Sequence, residues 1–128
     1  MSRYFQLLIS EEFAERTIPE DDSVRLLDQV VDELDLHSLI CSYSRMGRKS
    51  ATSPRTLLKI MLYANMEGIY SSRSIESSCK RDINFIWLLN GEKAPNYREI
   101  ARFRSERLSE CGEDLFYQLV KKLSALGE

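Results

Sequence analysis

Thirteen of the chain's 18 lysine and arginine residues fall between positions 45 and 107, where six acidic side chains accompany them. Residues 1–44 reverse the balance with three basic and ten acidic side chains, and residues 108–128 carry two and four. The formal net charge of −2 therefore conceals a basic middle with acidic ends. Such a segment can hold phosphates, or it can be neutralised inside the fold by the acidic segment that precedes it. Sign alone does not choose. Spacing adds that Arg55, Lys59 and Tyr63 recur at four-residue steps along one edge of a helix. Arg98 and Arg102 are likewise one turn apart on a shared face, while Arg104 points elsewhere. Glu99 and Glu106 stand at the steps that would pair with Arg102 at the surface. Arg45, Arg48 and Lys49 lie in a run of small polar residues, SYSRMGRKSATS, read as an exposed loop. In a nucleic-acid-binding protein such a loop lies along phosphates; in any other it is a solvated connection.

Catalytic chemistry finds little to work with. Cys41, Cys79 and Cys111 are well separated and His37, placed at a helix end or in a loop, is the single histidine, so zinc-ligand spacing is absent. The cysteines are read as reduced and structural, small hydrophobes at mostly apolar positions. No phosphate loop, nucleophile elbow or metal-binding histidine pair occurs. The carboxylates gather at Glu20–Asp22 and Asp28–Asp35, where they suit helix caps and a solvated face rather than a two-metal site. No enzymatic activity, metal or cofactor is expected of this chain alone.

The elements that would position the basic residues are helical. Ser53 is a natural N-cap and Pro54 suits the first helical position, after which Leu57, Leu58, Ile60, Met61, Leu62 and Ala64 make a helix that must be covered on most sides. Gly68 ends it, and Ser71 or Ser72 caps the next helix, which carries Arg73, Ile75 and Cys79 and breaks near Asp82. Two helices joined by a short glycine-containing turn resemble a helix-turn-helix, although most such pairs bind no DNA. Upstream, residues 1–18 lack periodicity and are expected as an extended or partly ordered arm. A helix capped by Asp22 or Ser23 follows, with Val24, Leu27, Val31 and Leu34 as its buried stripe and a further turn at Leu36, Leu39 and Ile40. Downstream, DINFIWLLNG gives a short apolar helix closed by Asn90 and Gly91. Its Trp87 is read as packing rather than as a platform for bases. Asn96 and Glu99 have capping-box spacing at the head of a helix whose apolar contacts come from Tyr97, Ile100, Ala101, Phe103 and Leu108. A last helix over residues 109–126 has a regular stripe suited to the core or to a dimer. No segment alternates with a period of two, so the fold class is all-α, a compact bundle of five or six helices with a helix-turn-helix-like pair.

At 128 residues the chain suits one domain. No apolar run is long enough for a membrane span, and the opening MSRYFQLLISEEF is a poor signal peptide, so a cytoplasmic protein without membrane partners is expected.

Three segments together carry a more specific pattern: IPEDDSVRLLDQVVDELDL, YSRMGRKSATSPRTLLKIMLYANMEGIYSSRSIE and INFIWLLNGEKAPNYREIARFRSERL. The proline-led helix with LLK and a Tyr, the turn from Gly68 to Glu76, the short aromatic helix and IARFR at Ile100–Arg104 stand in one order. This order resembles the N-terminal helical domain of bacterial insertion-sequence transposases of the DDE type, over roughly residues 18–126. The resemblance implies a bundle, placed here at residues 19–128, that recognises transposon terminal repeats in double-stranded DNA. A following RNase H-like domain would carry three metal-binding acids. It also implies that the chain ends where that C-terminal catalytic domain would begin, a fragment or truncated remnant not expected to cut or join DNA. The family pattern commonly has Asp and Thr where Asn96 and Glu99 stand; Asn still caps a helix, while any polar contact of the Thr is lost.

Carried over residue by residue, the resemblance implies a DNA-facing set of Arg48, Lys49, Arg55, Lys59, Ser71, Ser72, Arg73, Arg98 and Arg102. Most would contact phosphates, and Arg73 is the candidate for a guanine edge. The alternative is a helical module that self-associates through residues 109–126 or docks onto the catalytic domain. Geometry separates the two. Basic residues converging on an open face favour DNA, whereas pairing with the acids of residues 20–35 favours the module.

Overall fold

Five side chains set where the helices begin. In the computed structural model, which describes residues 11–37, 39–40, 52–107, 117–118 and 121–122, Asp22 accepts from Val24 N at 2.9 Å and opens the helix Ser23–Asp32. Ser53 accepts from Thr56 N at 3.3 Å and opens Pro54–Met66, with the proline in the first turn as expected. Ser71 opens Ser72–Arg81, Asp82 opens Ile83–Leu89, and Asn96 opens Tyr97–Arg102. The Asn96–Glu99 capping box is complete in both directions. Residues Glu11–Thr17 precede these as a further helix. In chain order they are α1 (Glu11–Thr17), α2 (Ser23–Asp32), α3 (Pro54–Met66), α4 (Ser72–Arg81), α5 (Ile83–Leu89) and α6 (Tyr97–Arg102). Beyond α6 the backbone widens into a π-helical turn over Phe103–Arg107. The described residues contain no strand, so the bundle is all-α.

Left-handed backbone ends two of these helices. Gly68, at φ 77°, turns the chain after α3, and Asn90 at φ 48° with Gly91 at φ 88° turns it after α5. Glycine reaches this region without strain and asparagine with little.

The short helix α5 is the hub. It packs on α1, α3 and α4, and also touches α2. Phe85, Leu88 and Leu89 are buried on it, and the Tyr63 ring of α3 meets Phe85 edge to face with centroids 5.2 Å apart. Leu57, Ile60, Ile75, Ile100 and Phe103 complete the core from α3, α4, α6 and the π turn. Removing a ring such as Phe85 from a core of this kind costs about 3–5 kcal/mol. Cys79 of α4 is part of the same core, and burial pushes its thiol up to about 12, so it is an inert packing group.

One expectation is corrected in part at the start of the chain. Residues 11–17 are helix rather than arm, with Ala14 and Ile18 buried against α5; residues 1–10 lie outside the described residues. Long-range polar contacts do what weak periodicity does not advertise. Arg25 of α2 donates to the carbonyls of Glu15, Ile18 and Pro19 and pairs with the Glu15 carboxylate at 3.0 Å, which satisfies orphan carbonyls at the end of α1. The same guanidinium lies 5.0 Å from the centre of the Trp87 ring, whose Nε1 donates to Glu15 at 2.7 Å. Trp87 thus packs, as expected, but also ties α1 to α5. A second clasp holds α3: the Glu92 carboxylate accepts from Ser53 N at 2.8 Å and Thr56 Oγ1 at 2.6 Å, while the buried Thr52 hydroxyl donates to the Lys93 carbonyl.

Of the segment 109–126, the described residues Gln118 and Lys122 meet the end of α2. Gln118 exchanges hydrogen bonds with the Asp35 backbone and Lys122 pairs with Glu33 at 3.1 Å. No described helix is long and apolar enough to cross a membrane.

Candidate nucleic-acid interface

The basic residues of the middle segment separate into two groups with different surroundings. The first lies between α2 and α3. Lys59, whose side chain is 11% exposed, donates to Asp28 at 2.6 Å and reaches Asp32 at 2.8 Å. Arg55, one turn earlier, donates to the Val31 carbonyl at 2.9 Å and lies 3.9 Å from Asp32. The four-residue step of Arg55 and Lys59 on α3 matches the four-residue step of Asp28 and Asp32 on α2, so two cations meet two anions across the contact. Tyr63, the third member of that edge, is buried, accepts from Asn84 Nδ2 at 2.6 Å and has its phenol pKa raised, chiefly by burial. Of the two residues expected to face DNA on this edge, Lys59 is held by the acids of α2 and Arg55 chiefly by the Val31 carbonyl, with Asp32 beyond it. The physical reason is proximity: a lysine whose stem is buried takes the nearest carboxylates rather than remain unpaired.

The second group lies where α4 packs on α6. Arg73, in the first turn of α4, places its guanidinium carbon 4.0 Å from the centre of the Tyr97 ring. Arg98 stands 5.6 Å from the same centre and donates from Nε to the phenol oxygen at 3.3 Å. Two arginines from different helices thereby share one aromatic ring, an arrangement the ring's negative face favours. Arg98 and, to a smaller degree, Arg73 also lower the phenol pKa of Tyr97 below its ordinary value, first through the Arg98 hydrogen bond and then through charge. Glu76 of α4 fixes the register: one carboxylate oxygen accepts from Tyr97 N at 3.2 Å and the other from Lys80 at 3.2 Å.

Ser71 and Ser72 sit at the same end of α4. Ser71 is the cap, accepting from Ser74 N at 3.1 Å, and Ser72 is the first helical residue. Arg102 follows Arg98 by one turn and is exposed. None of Arg73, Arg98 and Arg102 forms an ion pair with a described residue, and the surface pairs open to Arg102 from its sequence neighbours are not made. Arg48 and Lys49 lie outside the described residues. The fold thus brings together Ser71, Ser72, Arg73, Arg98 and Arg102.

Sequence reading missed Tyr97, which it assigned to apolar contact. No local spacing could have found it, because its partner Arg73 is on another helix. The helix-turn-helix-like order is present as α3, the Gly68 turn and α4, yet α4 packs mainly on α5 and α6 rather than on α3. Its open end is therefore framed by α6. Phosphate oxygens suit this arrangement, which offers several N–H donors and positive charge that no carboxylate among the described residues neutralises. Neither a curated protein nor a solved structure matches the chain significantly. Residues 12–106, a span that takes in α2 to α6 and the whole of this patch, match the model of the family described as transposase domain (DUF772), and the chain belongs to that family.

Proposed function

We propose that this domain holds double-stranded DNA at transposon ends through the α4–α6 face, as the recognition part of a transposase and without catalysis of its own. The observation that carries the reading is the convergence of Arg73 and Arg98 on Tyr97, with Arg102 one turn further, none of them paired with a carboxylate among the described residues. Arg98 and Arg102 contact phosphates, Ser71 and Ser72 bring the end of α4 against the backbone, and Arg48 and Lys49 extend the contact. A separate RNase H-like domain, which the transposase resemblance implies, supplies the chemistry. Arg55 and Lys59 leave the DNA-facing set and join the scaffold.

Their pairing with Asp28 and Asp32 favours a second reading, a helical module that docks onto the catalytic domain or onto another copy through residues 109–126 without touching DNA. Binding of the chain to a transposon-end duplex and to a shuffled duplex, at several salt concentrations, separates the two. Recognition predicts preference for the end sequence and a log–log salt slope of about −3 to −5, since each neutralised phosphate contributes about −0.9. Equally weak binding to both duplexes, with a slope near zero, would leave the docking module as the better reading.

A further inference from the structure

The α4–α6 face is more specific than a basic patch requires. A guanidinium that only attracts phosphate keeps its rotamer freedom and points into solvent. Arg73 instead lies over an aromatic ring, with 4.0 Å from guanidinium carbon to ring centre. Contact with the ring restricts the guanidinium of this exposed arginine, and its five N–H donors are more than the Tyr97 side chain can take, so a fork remains for paired acceptors. The ring is itself fixed. Its backbone N–H is bonded to Glu76 from the same helix as Arg73, and its hydroxyl is bonded by Arg98. The helix that carries Tyr97 is capped by a complete capping box.

In DNA, the base edge that presents two acceptors side by side to such a fork is guanine, through O6 and N7 in the major groove. We infer that Tyr97 is a positioning residue that holds Arg73 as a guanine-reading fork, while Arg98, caught at the rim of the same ring, takes a neighbouring phosphate. The inference rests on the DNA-binding reading above and gives it a chemical specificity. One side chain reads, one holds, one anchors. Loss of the ring would free Arg73 without removing its charge, so affinity for any duplex would change less than preference for the guanine.

A duplex selected by the wild-type chain from a random pool is the probe, with each guanine replaced in turn by 7-deazaguanine, which lacks the N7 acceptor. One guanine is expected at which the replacement weakens wild-type binding about ten- to a hundred-fold. At that position Arg73→Lys, which keeps the charge but replaces the fork with a single flexible ammonium, should shrink the difference between the two duplexes while retaining the wild-type salt slope. Tyr97→Ala should behave like Arg73→Lys. Tyr97→Phe should keep the guanine dependence, because the ring remains, and weaken binding to all duplexes about equally. Circular dichroism confirms that each variant is folded, and Arg73→Lys, at an exposed position, carries the test if Tyr97→Ala does not fold. Salt-dependent binding without any guanine that responds through Arg73 would overturn the inference and leave the DNA-binding reading standing. Absence of salt-dependent binding would remove both.

Discussion

The α2–α3 contact and the α4–α6 face are built from the same kinds of residue and use them in opposite ways. Each places two cations and a tyrosine together: Arg55, Lys59 and Tyr63 on one side, Arg73, Arg98 and Tyr97 on the other. Between α2 and α3 the cations meet Asp28 and Asp32 and the tyrosine is buried. Between α4 and α6 the cations meet the Tyr97 ring, and among the described residues no carboxylate pairs with them. A basic residue therefore has no function that its type alone reveals. What decides is whether the acidic segment, supplied here by α2, reaches it. The charge asymmetry of the sequence is resolved in two portions, one spent inside the bundle and one left facing outward.

The sharpest way to break the comparison is to remove one cation from each region. Lys59→Ala leaves Asp28 and Asp32 without their main partner at a contact where the lysine is nearly covered. Breaking a fully buried pair costs about 3–5 kcal/mol; with Asp32 half exposed, about 2–3 kcal/mol is expected here. Urea unfolding would register this as a lower midpoint, while the salt slope of DNA binding stays at the wild-type value. Arg98→Ala should do the reverse. Its unfolding free energy should move by no more than about 0.5 kcal/mol, as for other exposed substitutions, and its salt slope should shrink by about one. A Lys59 variant that kept its stability but lost salt dependence would place Lys59 on the DNA after all.

A smaller effect separates the two roles that coincide at the head of α4. Ser71→Ala removes the cap and should cost about 1 kcal/mol in unfolding free energy. Ser71→Asp keeps an acceptor for Ser74 N and adds charge that suits a helix N-terminus, so its stability should equal or exceed that of the wild type. It also sets a carboxylate beside Arg73. If the face holds DNA, the aspartate variant should bind more weakly than the alanine variant even though it is the more stable protein. Equal binding by the two would confine Ser71 to capping.

What could be read in the sequence follows the reach of the interactions. The caps at Asp22, Ser53 and Asn96 act over two or three residues, and all three stand where their spacing puts them. Gly68 and the Asn90–Gly91 pair end their helices for equally local reasons. The transposase resemblance also rests on local order, and the family match bears it out. Helix α1 was not legible because its buried apolar residues are Ala14 and, just past its end, Ile18, while Phe13 is exposed, and the residues that terminate and anchor it, Arg25 and Trp87, come later in the chain. The pairing of Lys59 with Asp28 spans 31 positions. A hint was present in the matched four-residue steps of the two pairs, but it became a contact only when α2 lay against α3. Tyr97 had no such hint. A tyrosine beside an arginine is ordinary, and its role comes from Arg73 arriving on a different helix.

The two tyrosines allow the comparison to be followed by pH without altering a charge. Burial raises the Tyr63 phenol above the ordinary value of 10.0, despite a hydrogen bond from Asn84 that opposes the shift. The hydrogen bond and charge of Arg98, with the charge of Arg73, lower the Tyr97 phenol below that same value. Ring-labelled tyrosine resonances should therefore show Tyr97 ionising first and Tyr63 later, on opposite sides of the free amino acid. The signs for stability also oppose. Raising Tyr63 makes the folded state hold its proton where the unfolded chain releases it, so stability falls as pH rises from 10.0 through the raised value. Lowering Tyr97 makes the folded state release its proton first, so its contribution is present above 10.0 and is lost as pH falls through the lowered value. Arg98→Ala should move the Tyr97 titration upward, leaving Tyr63 where it was. Saturating DNA should move Tyr97 upward too, because phosphates draw on the same guanidinium that stabilises the phenolate. A Tyr97 titration that ignored both Arg98 and DNA would mean that the shared ring is not the joint of the α4–α6 face.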